Sequence, residues 1–423
     1  MPDLNIDEIE NKKKETEKPK NNPFQLTIDY LKEKYDFKYN LIKNEFEYRL
    51  LDSDDSEYEE LNEDSVFVDM MIDMPAFKVS KSNLVAILKS GYVTVKYNPI
   101  EDYFNDITQK PYDPIKEPDY IKEIGDYITA VDGEQFVYHL KKWLVRSIKC
   151  AFVPDYYNKQ CFTLKDRRQN NGKSTFCRWL CPGSLKDYLA ENIGTDKDSL
   201  IKLSSNWIIN LDELAQMTKR DLNSLKSLFS KENINERLPY DARPKRVPRI
   251  ANFVGSTNED EFLTDDTGTV RWLVFELKSI SWDYVHIGID NIWRQAFHLY
   301  NDENYNCELS KEDIEKNEER NKKFRLNSME RDMVQLYIHE PDKIENGKKS
   351  YKNMENVKFY NSTEVVKELQ LKTGISKLTN INMGKALNST FDRDKHKGVY
   401  GYWLKFRTDQ EIEDYKKSSN III

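Results

Sequence analysis

A short segment, Gly172-Lys173-Ser174-Thr175, has the residue types and order of a phosphate-binding loop (P-loop). An apolar run precedes it and a helix-like apolar pattern follows it, which is the strand, loop and helix order that such a loop requires. Backbone N–H groups would converge on phosphate oxygens, Lys173 would contact the β- and γ-phosphates, and the Ser174 hydroxyl would ligate Mg²⁺. A helix start capped by Ser or Thr is the alternative. The predicted nucleotide-binding residues are Gln169, Asn170, Asn171, Gly172, Lys173, Ser174 and Thr175.

A residue upstream of Gly172 departs from the glycine-rich pattern of a P-loop. Arg167 stands where the pattern has its first glycine. A side chain at that position would crowd the loop, because glycine lets a backbone approach a phosphate closely. We therefore expect a weak affinity for ATP, which an Arg167→Gly variant should improve.

An acidic pair follows the apolar run Trp207-Ile208-Ile209-Asn210-Leu211. Continuous apolar sequence predicts a parallel strand that is buried on both faces, and such strands deliver side chains to a site at their carboxyl ends. Asp212 would hold Mg²⁺ together with Ser174, and Glu213 would orient or deprotonate the attacking water. A cap at the end of a strand is the alternative interpretation of these two acids.

Two further polar residues lie beside the next apolar runs. Asn258 follows the predicted strand Ile250 to Thr257, where its amide could hydrogen-bond a water and the γ-phosphate; a turn-forming role is the alternative. Arg271 precedes the predicted strand Trp272 to Leu277. It is either a surface residue or an arginine finger that reaches the γ-phosphate bound to a neighbouring subunit of a ring.

Basic residues concentrate in one loop or hairpin, Arg237 to Arg249, of a chain whose formal net charge is -8. Such a local surface suits the phosphate backbone of a nucleic acid, and an aromatic side chain within it can stack on a base. A solvated loop is the alternative. The candidate nucleic-acid contacts are Arg237, Tyr240, Arg243, Lys245, Arg246 and Arg249.

The composition excludes several classes of protein. Hydrophobic residues make up 38% and charged residues 33% of the 423 residues, which is typical of a globular protein with two or three domains. No apolar run reaches the length that spans a membrane, and the first residues lack a signal sequence, so a cytoplasmic location is expected. The 5 cysteines form no CxxC pair, so we expect buried free thiols rather than a zinc site or disulfides.

Hydrophobic patterns along the chain predict an α/β fold with a P-loop NTPase core and flanking domains. Apolar residues from Glu134 to Phe152 recur with a helical period, and short apolar strands alternate with helices after them. Helices followed by a strand pair predict a winged-helix-like unit near the C-terminus. The expected divisions are a disordered tail (1–22), a small α-rich domain with a connector (23–130), the ATPase core (131–305), a charged linker (306–326), the winged-helix-like domain (327–407) and a tail (408–423).

The order of these motifs resembles the virulence-associated protein E family of mobile elements, whose members are similar to viral superfamily 3 helicases, including the poxvirus primase-helicase. The resemblance covers about residues 95–300 and rests on the motifs GKST, WIINLDEL, KSLFS, ERLPYDARPKRVPR and FVGSTNEDEFLTDDTGTVRW. It implies an AAA+-like ATPase that uses ATP and Mg²⁺, with Asn258 as the sensor and Arg271 as the finger. Lys226 and the basic loop would contact a DNA strand in the pore of a homo-hexamer. The family usually has a second glycine where this chain has Asn170.

Three functions are compatible with these patterns. The first is an ATP-driven DNA helicase or translocase, a hexameric ring on single-stranded DNA that helps to replicate a phage, plasmid or integrated element. A primase or host replication proteins are its candidate partners, and no membrane is involved. The second is a P-loop protein that senses nucleotide and recruits other proteins to DNA without unwinding it. A small-molecule or nucleotide kinase would also use GKST, but it would have an Arg-rich lid and no basic, Pro-rich loop.

Overall fold

The computed structural model describes residues 22–52, 57–74, 79–194, 196–212, 214, 217, 219–236, 244–263, 270–325, 329–339, 344–345, 348–349 and 356–419. Within these ranges the chain is a mixed α/β protein. Its α-helices are α1 (Pro23–Lys34), α2 (Glu63–Asp73), α3 (Lys81–Lys89), α4 (Pro99–Ile107), α5 (Tyr120–Tyr127), α6 (Gly133–Phe152), α7 (Lys173–Trp179), α8 (Lys197–Ser205), α9 (Lys219–Phe229), α10 (Ile289–Asn301), α11 (Lys311–Asn321), α12 (Met329–Tyr337), α13 (Ser362–Thr373), α14 (Asn380–Thr390) and α15 (Asp409–Ser419).

The strands belong to several separate sheets. They are β1 (Tyr35–Asn40), β2 (Glu45–Leu50), β3 (Glu59–Glu60), β4 (Thr94–Tyr97), β5 (Ile128–Ala130), β6 (Cys161–Lys165), β7 (Leu189–Glu191), β8 (Ile208–Leu211), β9 (Asn233–Glu236), β10 (Lys245–Pro248), β11 (Asn252–Thr257), β12 (Trp272–Ile280), β13 (Ile344–Glu345), β14 (Lys348–Lys349), β15 (Lys358–Tyr360), β16 (Asp394–His396) and β17 (Val399–Leu404). Short 3₁₀ helices cover Gly183–Tyr188, Trp282–Ile287 and Lys322–Phe324.

The central sheet has six strands in the order β5-β12-β6-β11-β8-β7. Strands β12, β6, β11, β8 and β7 run parallel, and β5 pairs with β12 in the antiparallel sense at one edge. The register places Cys161 level with both Phe253 and Trp272, so β6, β11 and β12 begin together. Their carboxyl ends therefore lie at one edge of the sheet, where α/β proteins bind their ligands.

Both faces of the central sheet are covered, which explains why its strands are mostly apolar in sequence. On one face Phe162 and Val254 join a core that includes the long helix α6. On the other face Phe253 and Val274 pack with residues of α8 and α9. Helix α6 is also tied to the sheet by the indole N–H of Trp143, which donates to the carbonyl of Phe253 at 3.1 Å. The predicted helix over 134–152 and the four predicted strands of this core are confirmed.

The prediction that the cysteines are buried free thiols is also confirmed. All five thiols are free and buried within this fold, and burial raises the pKa of the Cys161 thiol to about 12. The cysteines are Cys150, Cys161, Cys177, Cys181 and Cys307. They are therefore core residues that stay protonated at neutral pH.

The N-terminal part of the chain contains a sheet beside the helices that its sequence predicted. Its helices α1, α2 and α3 accompany a four-stranded sheet of order β3-β2-β1-β4, and the core includes Phe37 and Leu84. The predicted connector is likewise structured. Asn98 caps α4 by accepting from the Ile100 N–H at 3.1 Å, and Pro99 fits the first turn of that helix. The Asn-Pro pair of the predicted connector is thus the start of a helix.

The charged segment 306–326 is not a linker. Its helix α11 packs along β12, and the side-chain amides of Asn317 and Asn321 donate to the Trp272 carbonyl at 2.9 and 2.8 Å. Asp313 forms an ion pair of 3.1 Å with the buried Lys142 of α6. Polar side chains on α11 thus bind a strand carbonyl that would otherwise lack a partner in the core. The charge density of this segment concealed that role.

The C-terminal part combines α12, α13 and α14 with a three-stranded sheet of order β15-β17-β16. Leu369, Met383 and Leu404 are buried in its core. The helices and the final strand pair that the sequence predicted are present, and the winged-helix assignment stays a prediction. The predicted tail begins with a helix, α15, whose Ile412 is buried. Residues 1–21, most of the predicted N-terminal tail, lie outside the described residues. No helix in the described ranges is long and apolar enough to cross a bilayer.

Candidate active site

The loop between β6 and α7 has two residues with left-handed backbone conformation. Gly172 has φ 94° and Asn170 has φ 53°. Asparagine is one of the few residues other than glycine that adopt this conformation readily. Asn170 therefore supplies the backbone geometry that a glycine would have supplied at this position.

A buried carboxylate, Asp166, holds the loop together from within. Its Oδ1 accepts from the backbone N–H and the side-chain Nε of Arg168 at 3.0 and 3.1 Å, and its Oδ2 accepts from the Asn171 amide. Burial by itself would raise the pKa of Asp166, but the bonds from Arg168 hold that pKa below its ordinary value. The carboxylate thus stays charged and fixes both ends of the loop.

Lys173 lies inside the loop, with 7% of its surface exposed. Its ammonium group donates to the carbonyls of Asp166 and Arg168 at 3.0 and 2.8 Å and to Oδ1 of Asn171 at 3.0 Å. Burial lowers the pKa of Lys173 from its ordinary value. A cation is therefore held at the centre of the loop, where an incoming anion would meet it.

Asp212, at the carboxyl end of β8, joins three parts of the site. Its Oδ1 accepts from the hydroxyls of Ser174 and Ser256 at 2.5 and 2.6 Å. Its Oδ2 accepts from the guanidinium of Arg178 at 3.0 Å. Ser174 and Asp212, the predicted metal ligands, thus lie in direct contact. Glu213 lies outside the described residues.

A cavity of about 480 Å³ opens beside this cluster, within the size range of small-molecule sites. The loop, the ends of β8 and β11 and the 3₁₀ helix that follows β12 all contribute to it. Its lining consists of Gln169, Asn170, Asn171, Gly172, Lys173, Ser174, Thr175, Arg178, Asp212, Ser256, Thr257, Asn258 and Trp282. All the residues of the predicted nucleotide-binding loop, together with Asn258, therefore surround one space.

Arg167 does not crowd that space. Its side chain is 76% exposed and forms an ion pair of 2.5 Å with Asp260, which follows β11. Lys165 reaches the same carboxylate at 2.5 Å. Hydrogen bonds from Arg167 and Lys165 lower the pKa of Asp260 to about 2. The expectation that Arg167 obstructs the loop is wrong, because the side chain points away from the cavity. Its ion pair with Asp260 connects the loop to the segment after β11.

Arg271 lies at the opposite edge of the sheet from Lys173. Its carbonyl accepts from the N–H of Cys161, the first residue of β6, at 2.8 Å, and its Nε donates to Ser230 at 3.1 Å. A strand as long as β6 spans about 15 Å. Within one chain, Arg271 and the phosphate-binding loop are therefore separated by the length of the sheet.

The basic segment forms a hairpin, at least where the structure describes it. Strands β9 and β10 pair in the antiparallel sense, with Lys245 opposite Glu236 and Arg246 opposite Asn235. Lys245 and Arg246 are exposed, and Arg246 forms an ion pair of 3.3 Å with Asp155. Arg237, Tyr240 and Arg243 lie outside the described residues. Lys226 is partly buried in α9, the helix before the hairpin.

Arg249 cannot contact a nucleic acid, which corrects the prediction made for it. Its side chain is fully buried, and burial lowers its pKa to about 10. Its guanidinium donates to backbone carbonyls at 2.7 to 3.4 Å. The accepting residues are Asn158, Leu228, Phe229, Lys231 and Ala251. Arg249 therefore joins the base of the hairpin to the core.

Four residues of the cavity, Arg178, Ser256, Thr257 and Trp282, were missed by sequence reasoning. Arg178 follows Ser174 by one helical turn, so the helical period could have placed it on the same face of α7. Ser256 stands two residues before Asn258 and could have been found by strand alternation. Trp282 had no comparable signal, because an aromatic residue after a strand is usually part of the core.

Comparison with known proteins gives one family and several structures. Residues 116–326 match the model of the virulence-associated protein E-like domain. No curated protein matches the chain. The apo structure of the NrS-1 C-terminal region (305-718) is similar, with 12% identity over 91% of this chain and 99% of that one and a TM-score of 0.48. The A form of the same region gives 12% identity over 91% and 100%, with a TM-score of 0.49.

Proposed function

Residues 116–326 belong to the virulence-associated protein E-like domain family, and from that premise we propose that the chain is an ATPase that drives a helicase or translocase on DNA. It would act, as a superfamily 3-like ring, in the replication of a mobile element. One observation carries the proposal. A cation, a hydroxyl, a carboxylate and an amide surround one cavity at the carboxyl edge of a parallel sheet, contributed by Lys173, Ser174, Asp212 and Asn258.

The residues around the cavity fit a nucleoside triphosphate. The Lys173 ammonium uses its three N–H donors on the carbonyls of Asp166 and Arg168 and on Oδ1 of Asn171, so a phosphate oxygen would replace one of these acceptors. Asn258 lines the cavity, and its amide would hydrogen-bond a terminal phosphate or a water beside it. Arg178 adds a second positive charge at the edge of the cavity. Positive groups directed at one space stabilise the charge of a triphosphate.

The donor set at Asp212 also fits Mg²⁺. The Ser174 hydroxyl and the Asp212 carboxylate lie 2.5 Å apart, and oxygen ligands of these two kinds are those that Mg²⁺ takes from proteins before phosphates complete its shell. Mg²⁺ bound there would neutralise phosphate charge. The chain itself would orient the carboxylate through Ser256 and Arg178, which both donate to it.

The opposite edge of the sheet carries the groups proposed to act between subunits and on DNA. Arg271 cannot reach the cavity of its own chain, so a finger role requires a neighbouring chain. Lys245 and Arg246 project from the β9–β10 hairpin beside the same edge, where they could bind a DNA backbone. Hydrolysis at the carboxyl ends of the parallel strands and DNA contact at their amino ends would then be linked through the strands themselves.

Measurement of ATP hydrolysis, with and without single-stranded DNA, tests this function. We expect Mg²⁺-dependent hydrolysis that DNA stimulates and that Lys173→Ala abolishes, because the loop lysine supplies the central phosphate contact. The exposed Lys186→Ala variant is the matched control and should behave as the wild type. Hydrolysis that Lys173→Ala leaves intact would overturn the site. ATP binding without turnover would instead favour the nucleotide-sensing recruitment protein.

Mixed oligomers test the finger role of Arg271. Arg271→Ala should bind ATP normally and lose hydrolysis by about 10³-fold or more if it acts as a full finger. Mixing that variant with Glu213→Gln should restore some activity, because an intact Glu213 then faces an intact Arg271 at some interfaces. No recovery in oligomers that are demonstrably mixed would contradict a role between subunits.

A further inference from the structure

One residue of the cavity, Trp282, has no part in the proposed phosphate and metal contacts. It begins the 3₁₀ helix Trp282–Ile287, which Ser281 separates from the end of β12. Its side chain is 52% exposed and lines the same cavity as Lys173. A large aromatic surface is thus left open to solvent beside a polar loop, which costs free energy unless a ligand covers it.

The indole lies against the phosphate-binding loop. A Cβ atom at Gly172 would lie 3.1 Å from Cζ2 and 3.3 Å from Cη2 of Trp282. Because Gly172 has φ 94° and no side chain, the six-membered ring of the indole can approach the loop backbone closely. One edge of the ring is therefore next to the phosphate site, and the exposed remainder faces the cavity.

The position of Trp282 is fixed by its neighbours rather than by its own packing. Tyr284 and Ile287 of the same 3₁₀ helix are buried in the core. The Ser281 N–H donates to the Tyr127 carbonyl at 2.8 Å, and the Ser281 hydroxyl accepts from the Asp283 N–H at 3.3 Å. A rigid segment thus presents the exposed indole, as expected of a binding surface and not of a loose loop.

We infer that Trp282 stacks on the base of the nucleotide whose phosphates bind the loop 169–175. The inference rests on the proposed function and deepens it. A nucleoside triphosphate is the class of ligand that has a planar aromatic group at one end and a polyphosphate at the other. The cavity presents an indole and, adjacent to it, the phosphate-binding groups of Lys173 and Ser174. Every base has a π face, so this contact adds affinity without selecting the base.

The test is a calorimetric titration of the full chain with two probes, Mg·ATP and Mg·tripolyphosphate. Base stacking on an aromatic side chain corresponds to about a 5- to 150-fold change in affinity when the ring is removed. We expect Trp282→Ala to weaken binding of ATP by that factor and to leave binding of tripolyphosphate within about 2-fold. Trp282→Phe, which keeps a π face, should restore most of the ATP affinity. Tyr92→Ala, at an aromatic residue that is 68% exposed elsewhere, is the control.

Each outcome decides the inference. An equal loss for both probes in Trp282→Ala would overturn it, because the indole would then act by shaping the loop at Gly172. Unchanged ATP binding would also overturn it and place the base elsewhere. Retained tripolyphosphate binding shows that the variant is folded. If the wild type binds neither probe, the proposed function fails and this inference fails with it. If the wild type binds both probes, the nucleotide site stands, and the Trp282 variants then decide the stacking inference alone.

Discussion

Arg249 offers a sharp test of the structure, because its sequence context and its position in the fold give opposite predictions. As a member of a basic run it would bind DNA, whereas its burial makes it a structural residue. An Arg249→Ala variant would remove the guanidinium donors from five backbone carbonyls, of which that of Leu228 keeps a bond of 3.1 Å from the Lys231 N–H. At neutral pH the guanidinium is charged, since its pKa of about 10 lies well above 7.

The magnitude follows from these bonds. Each buried acceptor left without a donor costs about 1–3 kcal/mol. Part of that cost is offset, because the variant no longer has to bury the charged guanidinium group. We expect the Arg249→Ala variant to lose about 3–5 kcal/mol of its free energy of unfolding, as when one member of a buried network is removed. Arg249→Lys should lose less, because it keeps a charge and some donors. A typical domain has only about 5–15 kcal/mol in total.

Urea denaturation monitored by tryptophan fluorescence measures this loss, and DNA binding is titrated under conditions where the variant remains folded. Arg246→Ala, a few residues away on the surface, is the matched control and should change stability by less than about 1 kcal/mol. A stable Arg249→Ala variant with weakened DNA binding would refute the assignment of this residue to the core.

Three other predictions follow from described contacts. Arg167→Gly should leave ATP affinity unchanged or lower it, because the arginine points out of the loop and ties it to its neighbour; calorimetry measures this. Between pH 7 and 5 the wild type should lose about 2 kcal/mol of its free energy of unfolding that His139→Phe does not lose. Burial lowers the pKa of His139 to about 3, so in this pH range the imidazole is protonated only in the unfolded chain. Replacing Lys245 and Arg246 with Ala should weaken binding to all single-stranded sequences alike and lower the salt slope by about one to one and a half units.

Each of these three predictions has an outcome that would contradict it. A clear gain in ATP affinity by Arg167→Gly would return that side chain to the interior of the loop. The exposed His286 provides the control for His139, and identical pH profiles of wild type and His139→Phe would mean that the buried imidazole takes up a proton in the folded state. Unchanged affinity and salt slope in the hairpin variant would make the hairpin a solvated surface and move the DNA contact elsewhere.

The sequence was sufficient to predict the strands that position the site. Runs such as 207–211 and 250–257 are mostly apolar because both faces of the central sheet are covered. Since parallel strands end at one edge, polar residues after two of them, Asp212 and Asn258, could be placed beside the loop before the fold was known. The register that brings the Ser174 hydroxyl to 2.5 Å from Asp212 required the structure.

Charged residues were harder to place. Arg249 and Arg246 belong to the same basic run, yet one is fully buried and the other is exposed. The buried guanidinium is paired with backbone carbonyls, and those acceptors have no signature in the side-chain sequence. The same reason explains why α11 was interpreted as a linker, since Asn317 and Asn321 bind the Trp272 carbonyl. Contacts between side chain and distant backbone depend on the tertiary fold.

The central claim, that the cavity beside Lys173 binds a nucleoside triphosphate, is tested most directly by a calorimetric titration of Mg·ATP into the wild type and the Lys173→Ala variant. The account predicts one site per chain in the wild type. In the variant it predicts an affinity lower by about 10- to 150-fold, the loss expected when a hydrogen bond to a charged group is removed. Equal affinity in the two proteins, with the exposed Lys186→Ala control unchanged, would contradict it.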